Sequence, residues 1–334
     1  MGIIAIDGGG TKTVGILSRT DGTVLSTANG GPSNMNGNRD EALRQLTGVV
    51  RRLYEEAEQS GEAIEALFAG LAGIEQGDNR KQAAAHLRRL YPDISSVQVD
   101  NDAITALYSG TKGEPGIVQI AGTGSITYGL HPSGRRERVG GWGYIAGDPG
   151  SGYSIGREAL IAVLRAWDGL GKPTALTELI IDAYNLSALT ELIPIIYAQE
   201  TRLRVAALAP LVMKAADLGD VAAQGIMDAA AYSMGEAIAG LHRKLYDGKL
   251  CAPNGAVPVV LTGGIFKRAD LLLPALESTC HEHQLQAQFI LPDSPPIAGA
   301  LFAALRQLGA SLDGELCGRV DQQLAVTLGK ENNG

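Results

Sequence analysis

The spacing of hydrophobic residues changes several times along the first part of the chain, and each change predicts an element. Short apolar runs at residues 3–7, 14–17 and 23–26 predict three strands of a β-hairpin meander, with an Asp-Gly turn before the third. Residues 41–57 carry apolar side chains at helical spacing, and 64–71 form the next strand-like run. This mixture of strands and helices predicts an α/β fold.

The same order of elements then occurs a second time. A helix at 79–91 and a strand at 97–99 complete the first half, and another helix begins at residue 102. Strands at 117–121 and 125–130 flank a new glycine turn, as the first two strands do. Two similar halves indicate a duplicated, two-domain protein.

The second half continues with a long helical section, a buried-type strand at 257–262 and a final helix opened by Pro295 and Pro296. Residues after 311 are polar and weakly patterned, and we expect their end to fray. The predicted divisions are an N-terminal lobe at 1–115 joined by a helix at about 296–310, a C-terminal lobe at 116–295 with a helical insertion at about 153–248, and a C-terminal extension at 311–334.

Composition and charge narrow the class of protein. The net charge is −8 and no basic stripe is present, so the sequence argues against a nucleic-acid partner. No apolar stretch approaches the ~20 residues of a membrane span, and the first residues lack the basic region of a signal peptide. Cys251, Cys280 and Cys317 match no zinc or iron–sulfur spacing, which is typical of reduced thiols. We therefore expect a cytoplasmic protein.

Glycine clusters follow three of the predicted strands. Residues 7–13 read Asp-Gly-Gly-Gly-Thr-Lys-Thr; they match neither a Walker A loop nor a dinucleotide-binding loop, because a strand follows rather than a helix. Alone, such a loop is more often a tight turn than a phosphate site. Similar glycines recur at 121–125 and 263–264. Since α/β sheets bind ligands at the carboxyl ends of strands, three such loops favour phosphate binding.

Taken together, the motifs resemble the family of N-acetylglucosamine kinases and BadF/BcrA-type ATPases. The resemblance implies an α/β, two-lobed, ribonuclease-H-like duplicated fold of the actin/hexokinase/Hsp70 superfold, with an ATP cleft between the lobes. It also implies an ATP-dependent amino-sugar kinase. The motifs that carry the resemblance are residues 6–13, 70–73, 100–103, 121–125, 140–143 with 147–148, 261–264 and 296–301.

The resemblance implies a role for two aspartates. Asp102 would be the catalytic base that accepts the proton of the sugar hydroxyl, although an aspartate between a strand and a helix is also typical of a helix N-cap. Asp7 would orient Mg²⁺ through water, and its alternative is a turn aspartate.

Other positions are implied to bind the two substrates. Lys12 is explained equally well as a solvated hairpin lysine, and Trp142 could contact the sugar or only anchor its own loop. The implied contacts are Gly9, Gly10, Thr11, Lys12, Gly122, Thr123 and Gly124 for the ATP phosphates, Gly263 and Gly264 for adenosine, and Asn34, Asp102, Gly141, Trp142 and Asp148 for the sugar.

The sequence leaves the acceptor sugar open. Ile126 and Pro149 depart from the family pattern near the sugar residues. N-acetylglucosamine phosphorylated at its 6-hydroxyl, glucosamine and N-acetylmuramic acid are the candidates, and a homodimer is possible. The alternative functions are an ATPase activator that drives electron transfer through a cysteine-bound iron–sulfur cluster, and a non-catalytic sugar sensor.

Overall fold

A computed structural model describes residues 1–247 and 255–331, with side chains up to residue 328. Cys251, the predicted end of the helical insertion at about 248 and the frayed end at 332–334 lie outside the described residues. Cys280 and Cys317 are free and buried.

The described chain contains ten strands. They are β1 (Gly2–Gly8), β2 (Thr13–Arg19), β3 (Val24–Gly30), β4 (Ile64–Leu71), β5 (Ser96–Asn101), β6 (Gly116–Ala121), β7 (Ser125–Leu130), β8 (Arg136–Gly140), β9 (Val257–Thr262) and β10 (Ala287–Ile290).

Twelve α-helices and two 3₁₀ helices, Leu189–Glu191 and Gly264–Leu271, accompany these strands in the described chain. The α-helices are α1 (Arg39–Gln59), α2 (Asn79–Leu90), α3 (Asp102–Thr111), α4 (Gly152–Trp167), α5 (Leu176–Tyr184), α6 (Leu192–Ile196), α7 (Thr201–Ala206), α8 (Ala209–Asp217), α9 (Val221–Tyr246), α10 (Leu273–Glu282), α11 (Pro296–Gln307) and α12 (Gly314–Glu331).

The chain divides into two compact units. Unit 1 comprises Met1–Pro115 and Pro292–Gly334, and unit 2 comprises Gly116–Leu291. In unit 1 the sheet order is β3-β2-β1-β4-β5; β1 is antiparallel to β2 and parallel to β4. In unit 2 the order is β10-β9-β6-β7-β8, with β6 antiparallel to β7 and parallel to β9. Each unit therefore begins with a hairpin and extends its sheet with parallel strands.

Apolar faces of the helices cover these sheets. In unit 1, α1 is capped by Asn38, whose side chain accepts from the Glu41 N–H, and its buried stripe includes Leu46 and Leu53. In unit 2, α9 is capped by Asp220 and contributes Ile238 to the core.

No single helix in the described part of the chain is long and apolar enough to cross a membrane. One pair bent by 60°, Leu176–Tyr184 with Leu189–Ile196, passes on length and composition. Its buried side chains, among them Ile180 and Leu192, pack in the core of unit 2.

The structure also contains elements that the sequence pattern did not predict. Helix α12 occupies most of the segment that was expected to be weakly patterned. Seven of its eighteen residues are apolar, and of these Val320 and Leu324 are fully buried. The periodicity was weak because much of this helix is polar and exposed; only a narrow stripe contacts the rest of unit 1.

Candidate functional site

The loop at residues 9–12 joins β1 to β2. The Gly9 N–H donates to the Lys12 carbonyl at 3.0 Å, which closes the turn. Among the described residues, no acceptor is found for the N–H groups of Gly10 and Thr11. Unpaired backbone N–H groups in a tight turn form an anion-binding concavity, so this loop can hold a phosphate.

Buried hydroxyl groups fix this loop against the chain that follows β3. The Thr13 and Ser33 hydroxyls lie 2.8 Å apart, and the Ser33 N–H donates to the Gly9 carbonyl at 3.1 Å. Gly8 is needed here because a Cβ atom on it would lie 2.2 Å from Ser33 Oγ. The loop is therefore held in one conformation before any ligand binds.

The same chain segment carries Asn34. Its Oδ1 accepts from the Asn36 N–H at 2.9 Å. A Cβ on Gly73 would lie 2.5 Å from Asn34 Oδ1, and one on Gly10 would lie 3.7 Å from Nδ2. Asn34 thus lies between the first glycine loop and the chain after β4, beside the phosphate-binding candidates.

Helix α3 begins at Asp102, directly after β5. Its N-cap is Asn101, whose side chain accepts from the Ala103 N–H at 2.8 Å. The alternative explanation of Asp102 as the helix N-cap is therefore wrong.

One hydroxyl links the two aspartates. Thr105 Oγ1 lies 2.6 Å from Asp7 Oδ1 and 2.7 Å from the backbone oxygen of Asp102. Thr105 follows Asp102 by three residues, so it occupies the same face of α3 one turn later. Sequence reasoning missed Thr105, although this spacing was visible in the sequence.

Both aspartates have pKa values near neutrality. Burial, together with the charge of Asp7, raises the pKa of Asp102 to about 7, against a backbone hydrogen bond from Ala103. Burial raises the pKa of Asp7 to about 6, against the Thr105 hydrogen bond and the charge of Lys12. Two coupled carboxyl groups with raised pKa values are typical of a site that exchanges protons or binds a cation.

A cavity of about 390 Å³ adjoins this region of unit 1. Asp7 and Lys12 form part of its wall. The remaining wall comes from β2, β3, the start of α11 and one side of α12, through Val14, Asn29, Asp293, Ser294, Pro295, Pro296, Ile297, Asp321, Leu324, Ala325 and Leu328.

In unit 2 the corresponding loop is residues 122–124. The Gly122 N–H donates to the Gly124 carbonyl at 2.9 Å, and the Gly122 carbonyl accepts from the Gly152 N–H of α4 at 2.7 Å. The N–H groups of Thr123 and Gly124 have no acceptor among the residues that the structure describes. This loop therefore has the same anion-binding character as the first.

The glycine pair at 263–264 contacts the strand that leads into this loop. Gly263 has φ +105°, and a Cβ on it would lie 2.2 Å from the Ala121 carbonyl oxygen. Only glycine allows this approach. Gly264 begins the adjoining 3₁₀ helix.

Asp148 lies beside the second loop. It is buried and has φ +56°, and its Oδ1 accepts from the Gly143 N–H at 3.2 Å. Burial raises its pKa, while the Gly143 hydrogen bond and the positive charge of Arg202 act in the opposite direction. A buried aspartate in the left-handed region is consistent with the predicted sugar-binding role, which stays a prediction.

The loop before Asp148 exposes an aromatic side chain. Trp142 is 71% exposed, and the Arg138 guanidinium lies 4.2 Å from its ring centroid. Gly141 has φ +68°, and a Cβ on it would lie 2.7 Å from Ile126 Cδ1. Ile126, one of the two departures from the family pattern, is thus in contact with this loop.

Within each unit the predicted residues are neighbours. Unit 1 brings together the first glycine loop, Asp7, Asn34 and Asp102, and unit 2 brings together the second loop, Asp148 and Gly263. Sequence reasoning missed Arg202, because nearly eighty residues separate it from the loop that it approaches.

Comparison with known proteins shows the family of the chain. The BadF/BadG/BcrA/BcrD ATPase family matches residues 4–306. An N-acetylmuramic acid/N-acetylglucosamine kinase of Clostridium acetobutylicum is 35% identical over 272 residues, which are 81% of this chain and 87% of that protein. An N-acetyl-D-glucosamine kinase of Dictyostelium discoideum is 30% identical over 313 residues, 90% of this chain and 97% of that protein.

A solved structure from Chromobacterium violaceum, provisionally described as an N-acetylglucosamine kinase, superposes with a TM-score of 0.65. It is 28% identical and covers 91% of this chain and 98% of its own. The predicted two-lobed α/β fold of the sugar kinases is confirmed by this likeness.

Proposed function

Because the chain belongs to the BadF/BadG/BcrA/BcrD ATPase family, as its motifs predict, we propose that it is an ATP-dependent amino-sugar kinase. It transfers the γ-phosphoryl group of ATP to the 6-hydroxyl of N-acetylglucosamine or of a close relative, glucosamine or N-acetylmuramic acid. The observation that carries this proposal is the coupled pair Asp7 and Asp102 in the same unit as a glycine loop with unpaired N–H groups.

Asp102 acts as the general base. Its pKa of about 7 makes it a competent acceptor at neutral pH, where a sugar hydroxyl alone is a poor nucleophile. The proton moves from the sugar oxygen to the carboxylate while that oxygen forms a bond to the γ-phosphorus. The bond from the γ-phosphorus to the bridging oxygen breaks, and ADP leaves with the electron pair.

Asp7 fits a magnesium ion that keeps most of its waters. The ion prefers carboxylate, phosphate and water oxygens, and one protein carboxylate is a usual contribution. Bound there, Mg²⁺ would neutralise charge on the phosphates. The Thr105 hydroxyl orients the Asp7 carboxylate for this role.

The glycine loops supply the remaining phosphate contacts. Gly9, Gly10, Thr11 and Lys12 bind phosphate oxygens through N–H, hydroxyl and ammonium groups. Gly122, Thr123 and Gly124 do the same from unit 2, and the turn at 263–264 contacts adenosine. The unpaired N–H groups of both loops support these assignments.

Asn34, Gly141, Trp142 and Asp148 bind the acceptor sugar. Amide and carboxylate groups pair with sugar hydroxyls at fixed geometry, and the exposed face of Trp142 offers a surface for the sugar ring. The contact of Ile126 with the Gly141 loop gives the acceptor pocket an apolar wall.

The test is ADP release in the presence of ATP and Mg²⁺, with each of the three amino sugars, with glucose, and with no sugar. We expect turnover that depends on an amino sugar. The Asp102→Asn variant should lose about 10²- to 10⁴-fold in kcat, because it removes the base.

Asp78→Asn is the matched control, since Asp78 is exposed and its side chain caps no helix N–H. A rate of ADP release that no sugar increases, or full activity in Asp102→Asn, would contradict the proposal.

A further inference from the structure

Arg202, on helix α7, lies against the second glycine loop. A Cβ atom on Gly124 would lie 2.7 Å from Arg202 Nη2 and 2.8 Å from Asp148 Oδ2. Gly124 is not among the residues with a positive φ, so its backbone conformation does not require glycine. Glycine is needed at this position because other side chains come close to its Cα. The glycine makes room for a guanidinium and a carboxylate that both approach the position its Cβ would occupy.

Helix α7 is held firmly at this place. A Cβ on Gly156 of α4 would lie 1.9 Å from the Val205 carbonyl oxygen, so the two helix backbones are in direct contact. Val205 and Leu208 are buried in the core of unit 2. The position of Arg202 is therefore set by packing and not by a mobile surface loop.

The charge of Arg202 is available to a ligand. The residue is exposed; its charge acts against burial, which raises the pKa of Asp148, but it forms no ion pair within 4.0 Å among the described residues. The Arg202 guanidinium lies 5.7 Å from the centroid of the Tyr144 ring. An arginine beside unpaired backbone N–H groups is suited to bind the oxygens of a phosphoryl group, because the planar guanidinium can donate two parallel hydrogen bonds.

We propose that Arg202 binds the γ-phosphoryl group of ATP and stabilises it during transfer. This inference rests on the proposed kinase function. Arg202 lies on the side of Gly124 that Asp148 also approaches, and Asp148 is assigned to the sugar. The guanidinium is thus placed where the second phosphate loop meets the acceptor residues of unit 2.

The test compares Arg202→Gln and Arg202→Lys with the wild type. We expect Arg202→Gln to lower kcat about 10²- to 10³-fold, the usual loss when a transition-state hydrogen-bond donor is removed. Arg202→Lys should recover part of the rate because it keeps the charge. Arg204→Gln, on the same helix, removes a charge and the hydrogen bond to the Gln199 carbonyl but no group near Gly124, so it is the control for damage to α7 and should keep the wild-type kcat.

Nucleotide binding gives a second readout that needs no sugar. In the wild type, AMPPNP with Mg²⁺ should bind more tightly than ADP with Mg²⁺, and Arg202→Gln should remove this difference while leaving the Kd for ADP unchanged. Calorimetry with these two nucleotides tests the role of Arg202 without any sugar. If the wild type binds AMPPNP more tightly than ADP but phosphorylates no sugar, only the kinase proposal fails.

Comparing two acceptor sugars shows whether Arg202 contacts the phosphoryl group of ATP or the carboxylate of N-acetylmuramic acid. Equal losses of kcat/KM with N-acetylglucosamine and N-acetylmuramic acid are expected. A loss confined to N-acetylmuramic acid would assign Arg202 to the carboxylate of that sugar and overturn the proposal. Unchanged kcat and unchanged AMPPNP affinity in Arg202→Gln would overturn it as well.

Discussion

At the scale of single residues, the chemistry proposed for unit 1 depends on Asp7 and Asp102, and the Thr105 hydroxyl contacts the carboxylate of the first and the backbone carbonyl of the second. Thr105 has one proton to donate, and Asp7 Oδ1 and the Asp102 carbonyl are both within reach. Ionised Asp7 attracts that proton, whereas protonated Asp7 can itself donate to the hydroxyl. The protonation states of the two aspartates are coupled because the charge of Asp7 raises the pKa of Asp102, so their titration belongs to the pair.

The pH dependence of the reaction follows from this pair. Because the base must be ionised, kcat/KM should rise with pH on an acid limb with an apparent pKa of about 7, the value for Asp102. A pH–rate profile between pH 5 and 9 measures this limb. A profile that is flat from pH 6 to 8 would contradict the assignment of Asp102 as the base.

The same residue should also lower stability at alkaline pH. The pKa of Asp102 is raised from 3.8 to about 7 in the folded state, so its contribution is favourable below the unfolded pKa and is lost as pH rises through the folded one. Asp102→Asn should therefore increase the free energy of unfolding at pH 8 by about 1–3 kcal/mol. Urea unfolding at pH 8 and pH 4 checks this.

At pH 4 the gain should nearly vanish, because wild-type Asp102 is then protonated in the fold. An equal gain at both pH values would show that the aspartate is strained for a reason other than its charge.

At the scale of elements, close contacts between helices position the side chains of the site. Gly299 of α11 shows this in unit 1, since a Cβ there would lie 1.8 Å from the Thr105 carbonyl oxygen of α3. In unit 2, Gly156 of α4 lies equally close to α7, since a Cβ there would lie 1.9 Å from the Val205 carbonyl oxygen. Small residues at these points set the distance between helices, and with it the positions of Thr105 and Arg202.

Gly156→Ala should displace α7. The added methyl group meets the Val205 carbonyl at 1.9 Å, and we expect a loss of stability of about 1–3 kcal/mol together with a lower kcat. Thermal unfolding and ADP release measure the two effects.

Gly225→Ala is the matched control on α9, because no atom lies within 4 Å of its Cβ position. It should instead gain about 0.5–1 kcal/mol from helix propensity. Destabilisation in both variants would show that close packing at Gly156 is not the cause.

Sequence reasoning recovered those features that are encoded locally. The period-2 runs and glycine loops predicted the hairpins that begin both units, since residues 2–19 and 116–130 form them from near neighbours. Arg202 could not be predicted, because its approach to Gly124 depends on how α4, α7 and α8 pack. Helix α12 was missed because it has only a narrow apolar stripe, and the partners of that stripe are distant in sequence.

At the scale of the whole molecule, α12 lies beyond residue 306, where the match to the family ends. Val320 of α12 contacts the turn at Gly22, where a Cβ would lie 2.9 Å from its Cγ2. Asp321 forms an ion pair with Lys112 at 2.7 Å. The helix therefore closes unit 1 on the side of the cavity that Asp7 and Lys12 line.

Ending the chain at residue 313 should destabilise unit 1 by several kcal/mol. Val320 and Leu324 are fully buried, and each such side chain contributes about 1.5–3 kcal/mol. Urea unfolding measures the loss, with a chain ending at residue 331 as the control. Equal stability of the two shortened chains would show that α12 is dispensable.

Unit 1 is built from two separated stretches of chain, and this imposes an order on its synthesis. The stretch 116–291 of unit 2 is continuous and leaves the ribosome before α11 does. Asp7 and Asp102 are made early, yet α11, which packs on α3 and β1, is added almost last. During translation the N-terminal part of unit 1 therefore cannot complete its packing until α11 has been synthesised. A nascent chain contains both aspartates long before α11 can pack against the elements that carry them.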